Sequence, residues 1–161
     1  MTHRTLADPM KTYRVGDPKG EFPVYSGLGA RRLSARWHKK GQEVIYTSEH
    51  LSLAVLEKLV HYAGELPNGQ HFVEITIPQG VSYEVAEPHS LSGWDRASHS
   101  VSQAFGAQWY AAKRSAILIV PSVVVRQERN VLINAEHPDT GRIKAGLETP
   151  LKWDRRLFEK L

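Results

Sequence analysis

The chain has 161 residues, 41% of them hydrophobic and 24% charged, with a formal net charge of +4 and no cysteine. That length and balance fit one domain with its own core, and the missing thiols exclude disulfides, thiolate nucleophiles and cysteine-ligated zinc. The charge is uneven: residues 1–40 hold nine Lys/Arg against three Asp/Glu, so a positive field gathers near Arg31, Arg32, Arg36, Lys39 and Lys40 and favours an anionic partner.

Residues 1–12 read as a polar N-terminal arm and residues 13–161 as the domain. No stretch has the length of a signal-peptide core or a membrane span, so a soluble cytoplasmic protein is expected. Tyr13-Arg14-Val15 is a short strand, and the Gly27-Leu28-Gly29 that follows lacks the third glycine of a dinucleotide fingerprint, so it reads as a glycine turn. Residues 33–37 and 43–47 predict a hairpin closed at Lys39-Lys40-Gly41, where glycine supplies the positive φ of the turn. Val44 and Tyr46 then share a face, and Arg36 joins them in only one of the possible registers.

Ser48 stands where an N-cap is expected, opening a helix to Ala63 with Gly64 as its stop. Leu53, Val55, Leu56, Leu59 and Val60 fall on one broad apolar arc of that helix, with Glu57 at its margin and His61 one turn on. Alternation in residues 72–77 and 81–85 predicts a second hairpin, and helical spacing predicts a second helix over 98–113. Ala116-Ile117-Leu118-Ile119-Val120 is the unbroken apolar run of a centrally buried strand, stopped by Pro121-Ser122. Further strands are expected at 123–125 and 131–133, followed by a polar loop at 134–139. Clustered strands with two helices fit an α+β fold.

Glu57 is the sharpest chemical candidate, since a carboxylate at the edge of an apolar face can stabilise positive charge or act as a base. It equally fits a boundary residue paired with His61. Arg36 has the planar fork that grips phosphate oxygens, and Tyr46 fits either a stacking ring or a core aromatic. Ser122 lies at a strand end. Glu57 and His61 share a helix face, yet there is no H-E-x-x-H and no third ligand at a telling distance, so no metal is expected.

Seven segments, 27–30, 35–37, 44–48, 53–61, 120–122, 130–134 and 137–139, occur in the order seen in the RES-domain family. That family comprises toxins of bacterial toxin-antitoxin pairs, and the chain resembles it from about Tyr13 to Phe158. The resemblance implies a fold like the ADP-ribosyltransferases of the diphtheria-toxin type, with NAD as substrate. Carried over, Arg36 holds phosphates or ribose, Tyr46 stacks near the nicotinamide, and Glu57 stabilises the oxocarbenium-like ribose. Ser122 lines the pocket, and Ser48 and Arg14 complete the substrate-binding set.

The expected reaction cleaves the nicotinamide glycosidic bond by hydrolysis or phosphorolysis. Transfer of ADP-ribose to a host protein is the alternative, and a non-catalytic nucleic-acid or protein-binding module the second. The implied partner is a helix-turn-helix antitoxin that blocks the active site in a hetero-oligomer, with no nucleic-acid binding by the toxin itself. Ser34, Ala35 and His38 depart from the family's Gly-Gly-Arg-Trp-Asn, which bears on the shape of the turn around Arg36.

Overall fold

Every residue of Ile117–Pro121 is buried, because this strand has neighbours on both edges and packed layers on both faces. The computed structural model describes residues 4–63, 65 and 67–159. In chain order its strands are β1 (Arg4–Thr5), β2 (Met10–Gly16), β3 (Val44–Ser48), β4 (His71–Ile77) and β5 (Ser82–Val85), then β6 (Ile117–Pro121), β7 (Arg129–Asn134), β8 (Lys144–Ala145) and β9 (Thr149–Pro150). Two helices accompany them, α1 (Leu51–Val60) and α2 (Ser100–Ala111). The sheet runs β1-β5-β6-β7-β3-β2-β4-β8, with β9 also pairing β4. Its one parallel pair, β5 with β6, is joined by the crossover that contains α2. The fold is α+β.

Side-chain alternation sorts the core into two layers. Ile45, Ile117, Ile119, Val131 and Ile133 point to one face and join Val73, Ile75 and Ile77 of β4. Their neighbours Val44, Leu118, Val120 and Leu132 point to the other, where they meet Trp37, Trp94, Trp109 and Tyr110. Between β2 and β3 the ladder is a single pair, Tyr13 with Ser48. Beside it the Arg14 guanidinium enters the gap and donates to the carbonyls of Tyr46 (2.9 Å) and Val24 (2.6 Å). The sheet is splayed at this point, and α1 packs over β2 and β3 next to it.

Several expected elements take other forms. Residues 33–37 are not a strand. A 3-10 turn at Gly29–Arg32 leads into a tight turn closed by an isolated bridge between Ala35 and His38, and Leu33 is 76% exposed. Gly41 has the positive φ expected of it, at 92°. Ser48 does not cap α1: it is the last residue of β3, and the helix starts after His50. The helix ends at Val60, short of Ala63, and Gly64, expected as its stop, lies outside the described residues.

The buried face of α1 is narrower than its apolar arc, with Leu53 and Ala54 inside but Leu56 and Val60 40% and 56% exposed. Strands β4 and β5 do not pair with each other: β5 lies between β1 and β6, and β4 pairs with β2, β8 and β9. The segment expected as an arm thus places Arg4–Thr5 and the start of β2 in the sheet, with Leu6 in the core. Residues 123–125 form a loop instead of a strand.

Candidate active site

Strand parity and register assemble one end of the site without reference to any ligand. Tyr46 and Ser48 share a face of β3, Ser48 lies opposite Asn130 of β7, and Asn130 lies opposite Val120 of β6, two residues before Ser122. Tyr46, Ser48, Asn130 and Ser122 therefore gather toward one end of these central strands, on the face that carries the tryptophan layer.

Glu57 reaches this end of the strands from α1. Its Oε1 accepts hydrogen bonds from the Ser122 hydroxyl at 2.8 Å and from the Asn130 amide at 2.7 Å. These partners replace the local pairing with His61. The Ser122 oxygen itself accepts from the backbone N–H groups of Val124 and Val125, at 3.1 Å each, so its one proton is committed to Glu57. The 123–125 segment is therefore a loop folded back on Ser122. Ser48, 3% exposed, donates its hydroxyl to Asn130 Oδ1 at 2.7 Å.

Arg36 lies on the turn bridged by Ala35 and His38. Its Nη1 donates to the carbonyls of Trp94 (3.1 Å) and Arg96 (3.0 Å), which fixes one end of the fork and ties the turn to the loop before α2. Partial burial pulls its guanidinium below the ordinary arginine range, while Asp95, Glu57 and Tyr46 act in the opposite direction. Arg36 thus lies within electrostatic range of both Glu57 and Tyr46.

Tyr46 is held by the same turn. Its hydroxyl accepts from the Trp37 N–H at 3.3 Å and lies 2.7 Å from His38 Nδ1. His38 Nε2 is 2.7 Å from the Ala30 carbonyl, an acceptor, so Nε2 carries the proton and, in the neutral ring, Nδ1 accepts a hydrogen bond from the Tyr46 hydroxyl. Burial pushes the Tyr46 phenol far above its ordinary value, which keeps it protonated as a donor and an aromatic surface. His38, at 2% exposure, is thus a structural member of the site. The sequence marked it only as a departure from the family pattern.

Behind the turn, Gly106 of α2 leaves room for it: a Cβ there would meet the Trp37 carbonyl oxygen at 1.9 Å. Trp37 is 3% exposed and stacks with Trp94 at 6.4 Å, edge-on to Phe105. The one signal for this contact in the sequence is a glycine inside a helical pattern.

A crevice of about 210 Å³ opens on the Lys58 side of α1 and includes Arg14, Asp17, Phe22 and Val24 in its wall. Burial lowers the pKa of both cations, and Arg14 lowers that of Lys58 further while Asp17 opposes it. Two partly desolvated positive charges here favour an anion. Glu57, one residue before Lys58, turns away from this crevice toward β6 and β7.

A family model for the RES domain matches residues 11–154. The chain is 39% identical over 160 residues to the Prs ADP-ribosylating toxin of Sphingobium sp. (strain YBL2), covering 96% of this chain and 95% of that protein. It is 34% identical over 128 residues to Toxin Res of Photorhabdus laumondii, covering 78% and 81% of the two chains. Among solved structures, that of the M. tuberculosis MbcT-MbcA toxin-antitoxin complex matches 91% of this chain and 86% of its counterpart. Its TM-score of 0.72 at 15% identity is a likeness of fold.

Proposed function

The chain belongs to the RES-domain family, and from that premise we propose that it is the toxin of a toxin-antitoxin pair and consumes NAD by cleaving the bond between nicotinamide and ribose. The observation that carries this reading is Glu57, which enters from α1 with Oε1 fixed by Ser122 and Asn130 and Arg36 near enough to act on it. The geometry of a splayed sheet beside such a site supports a fold of the diphtheria-toxin ADP-ribosyltransferase type.

The chemistry asks little covalent work of the protein. The nicotinamide nitrogen is already cationic in NAD, so when the C1′–N bond breaks the electron pair goes to nitrogen and neutral nicotinamide leaves. Positive charge then appears on the ribose, and a carboxylate held against it lowers the barrier in the transition state more than in the ground state. Glu57 Oε2 faces that charge in this reading, because Oε1 is occupied. Tyr46 packs against the nicotinamide ring, and Arg36 uses the rest of its fork on ribose or phosphate oxygens.

The acceptor distinguishes three reactions. Water gives ADP-ribose, inorganic phosphate gives its 1-phosphate, and a protein side chain gives an ADP-ribosylated protein. Transfer to a protein is favoured by one observation, the 39% identity to a protein named an ADP-ribosylating toxin. Purified protein is incubated with NAD in buffer, with phosphate, and with candidate acceptor proteins, and nicotinamide and the ribosyl product are followed by chromatography and mass spectrometry. Release of nicotinamide supports the proposal and its product names the acceptor. Intact NAD under all three conditions overturns it and leaves the binding-module reading.

An antitoxin that covers the site is the partner this reading implies, supported by the likeness to a chain solved in a toxin-antitoxin complex. Lys39 and Lys40 are exposed beside the Arg36 turn, so an acidic segment of that partner fits there.

A further inference from the structure

A carboxylate that must present one oxygen to a developing charge needs its rotation about the last side-chain bond stopped. That terminal torsion is broad and roughly two-fold in glutamate, so packing alone fixes it poorly. In this chain the restraint comes from two donors on a single oxygen, Ser122 and Asn130, and the second of these is itself oriented.

The Asn130 amide has two ends of nearly equal shape, and its neighbours decide which end faces which. An ionised carboxylate only accepts, so the NH2 group turns toward Glu57 and the carbonyl turns away. On that far side Ser48 donates to Oδ1 at 2.7 Å; a hydroxyl both donates and accepts, so Glu57 selects the orientation and the Ser48 bond holds the amide in it. Ser48 is buried at 3% exposure on β3, directly opposite Asn130 in the ladder. The chain of donation therefore runs from Ser48 to Asn130 to Glu57, from the rigid sheet to the mobile end of a helical side chain.

We infer that Asn130 is the positioning residue of the site: it holds Glu57 Oε1 so that Oε2 remains directed at the substrate, with Ser48 anchoring the far end of the amide to β3. The inference rests on the reading of Glu57 as the group that acts on the ribose, and it goes beyond that reading by assigning work to two residues that act through Glu57. Asn130 bonds through its side chain to α1, so a purely structural role as a tie between helix and strand is the competing account.

Asn130→Asp and Asn130→Ala separate the two. The aspartate keeps the shape of the residue and an acceptor for Ser48, but replaces the donor to Glu57 by a carboxylate. A structural tie through the same bond predicts that both variants lose Tm while kcat of the folded protein stays near wild type. A positioning role predicts that aspartate is at least as damaging to kcat as alanine, because it repels Glu57 from its place. Alanine should lower kcat for nicotinamide release by between about 10- and 100-fold while KM for NAD stays within about three-fold, the signature of a displaced catalytic group. Ser48→Ala should lower kcat by a smaller factor in the same pattern.

Crystal structures of wild type and Asn130→Ala provide the second measurement, which does not depend on NAD. Glu57 in a different rotamer, or spread over several, supports the inference; Glu57 unmoved overturns it whatever the rates. Wild-type kcat in Asn130→Ala overturns it as well. If the wild type releases no nicotinamide, the NAD reading falls on its own and the Glu57 rotamer alone decides the positioning claim.

Discussion

Replacing Gly106 by alanine puts a methyl carbon 1.9 Å from the carbonyl oxygen of Trp37 and 2.7 Å from its carbonyl carbon, about 1.5 Å short of the 3.4 Å at which ordinary contact begins. The obstacle is backbone, so no side chain can swing aside. Either α2 moves or the turn that carries Arg36 and Trp37 moves, and Trp109 at 0% exposure anchors the helix. Helix propensity favours the alanine by about 1 kcal/mol, whereas overpacking of a close contact costs up to about 3 kcal/mol. A net loss near 2 kcal/mol lowers Tm by roughly 4–8 °C in a chain of this size.

Activity should suffer more than stability, since a shift of about 1 Å in Arg36 costs on the order of 100-fold in rate. Thermal melts and nicotinamide release on the same preparations check both numbers. Gly141→Ala, where a Cβ meets nothing within 4 Å, is the control and should match wild type. A Gly106→Ala protein with wild-type Tm and rate would refute the claim that the Arg36 turn is seated on α2.

Arg14→Met removes the guanidinium that holds the Tyr46 and Val24 carbonyls across the gap between β2 and β3; the lost bonds, offset by relief of burying a charge, cost about 2 kcal/mol in urea unfolding. Arg36→Lys loses the fork, so it should raise KM for NAD by about 10-fold in steady-state kinetics while stability changes by less than about 1 kcal/mol. Tyr46→Phe leaves the Trp37 N–H and His38 Nδ1 without their partner and should cost about 2 kcal/mol at neutral pH. Because the folded phenol titrates above its ordinary 10.0, the native state of the wild type binds more protons than the unfolded chain as pH rises past that value. Wild-type stability therefore falls there, and urea unfolding at neutral pH and above pH 10 should show the phenylalanine variant's deficit narrowing.

The parts of this molecule legible in the sequence are those whose cause is local. The unbroken apolar run at 117–120 gave a central strand, and the alternation Val73, Ile75, Ile77 gave β4 with its buried face. The parity of β3 placed Tyr46 on a face of its own with Val44. The second hairpin failed for a non-local reason: Gly80 donates to the Leu6 carbonyl, and Leu6 donates to Val81, so a segment from the N-terminus occupies the place of a hairpin partner. The strand expected at 33–37 failed likewise, because burying Trp37 against α2 at Gly106 folds those residues into a turn.

At the site, one helix offered Glu57 a local partner in His61, while its actual partners lie on β7 and in the loop after β6. Only the pairing of Ser48 with Asn130 and of Val120 with Asn130 brings them together, and register of that kind is fixed by the whole sheet.

The central claim is that Glu57 stabilises charge on the ribose as nicotinamide leaves. Glu57→Gln removes the charge while retaining an acceptor oxygen for Ser122 and Asn130 in nearly the same volume, so far-UV circular dichroism and Tm should stay close to wild type. Measured side by side, the wild type should release nicotinamide from NAD and the glutamine variant should be slower by about 100-fold or more. A folded Glu57→Gln protein that releases nicotinamide at the wild-type rate would contradict the account.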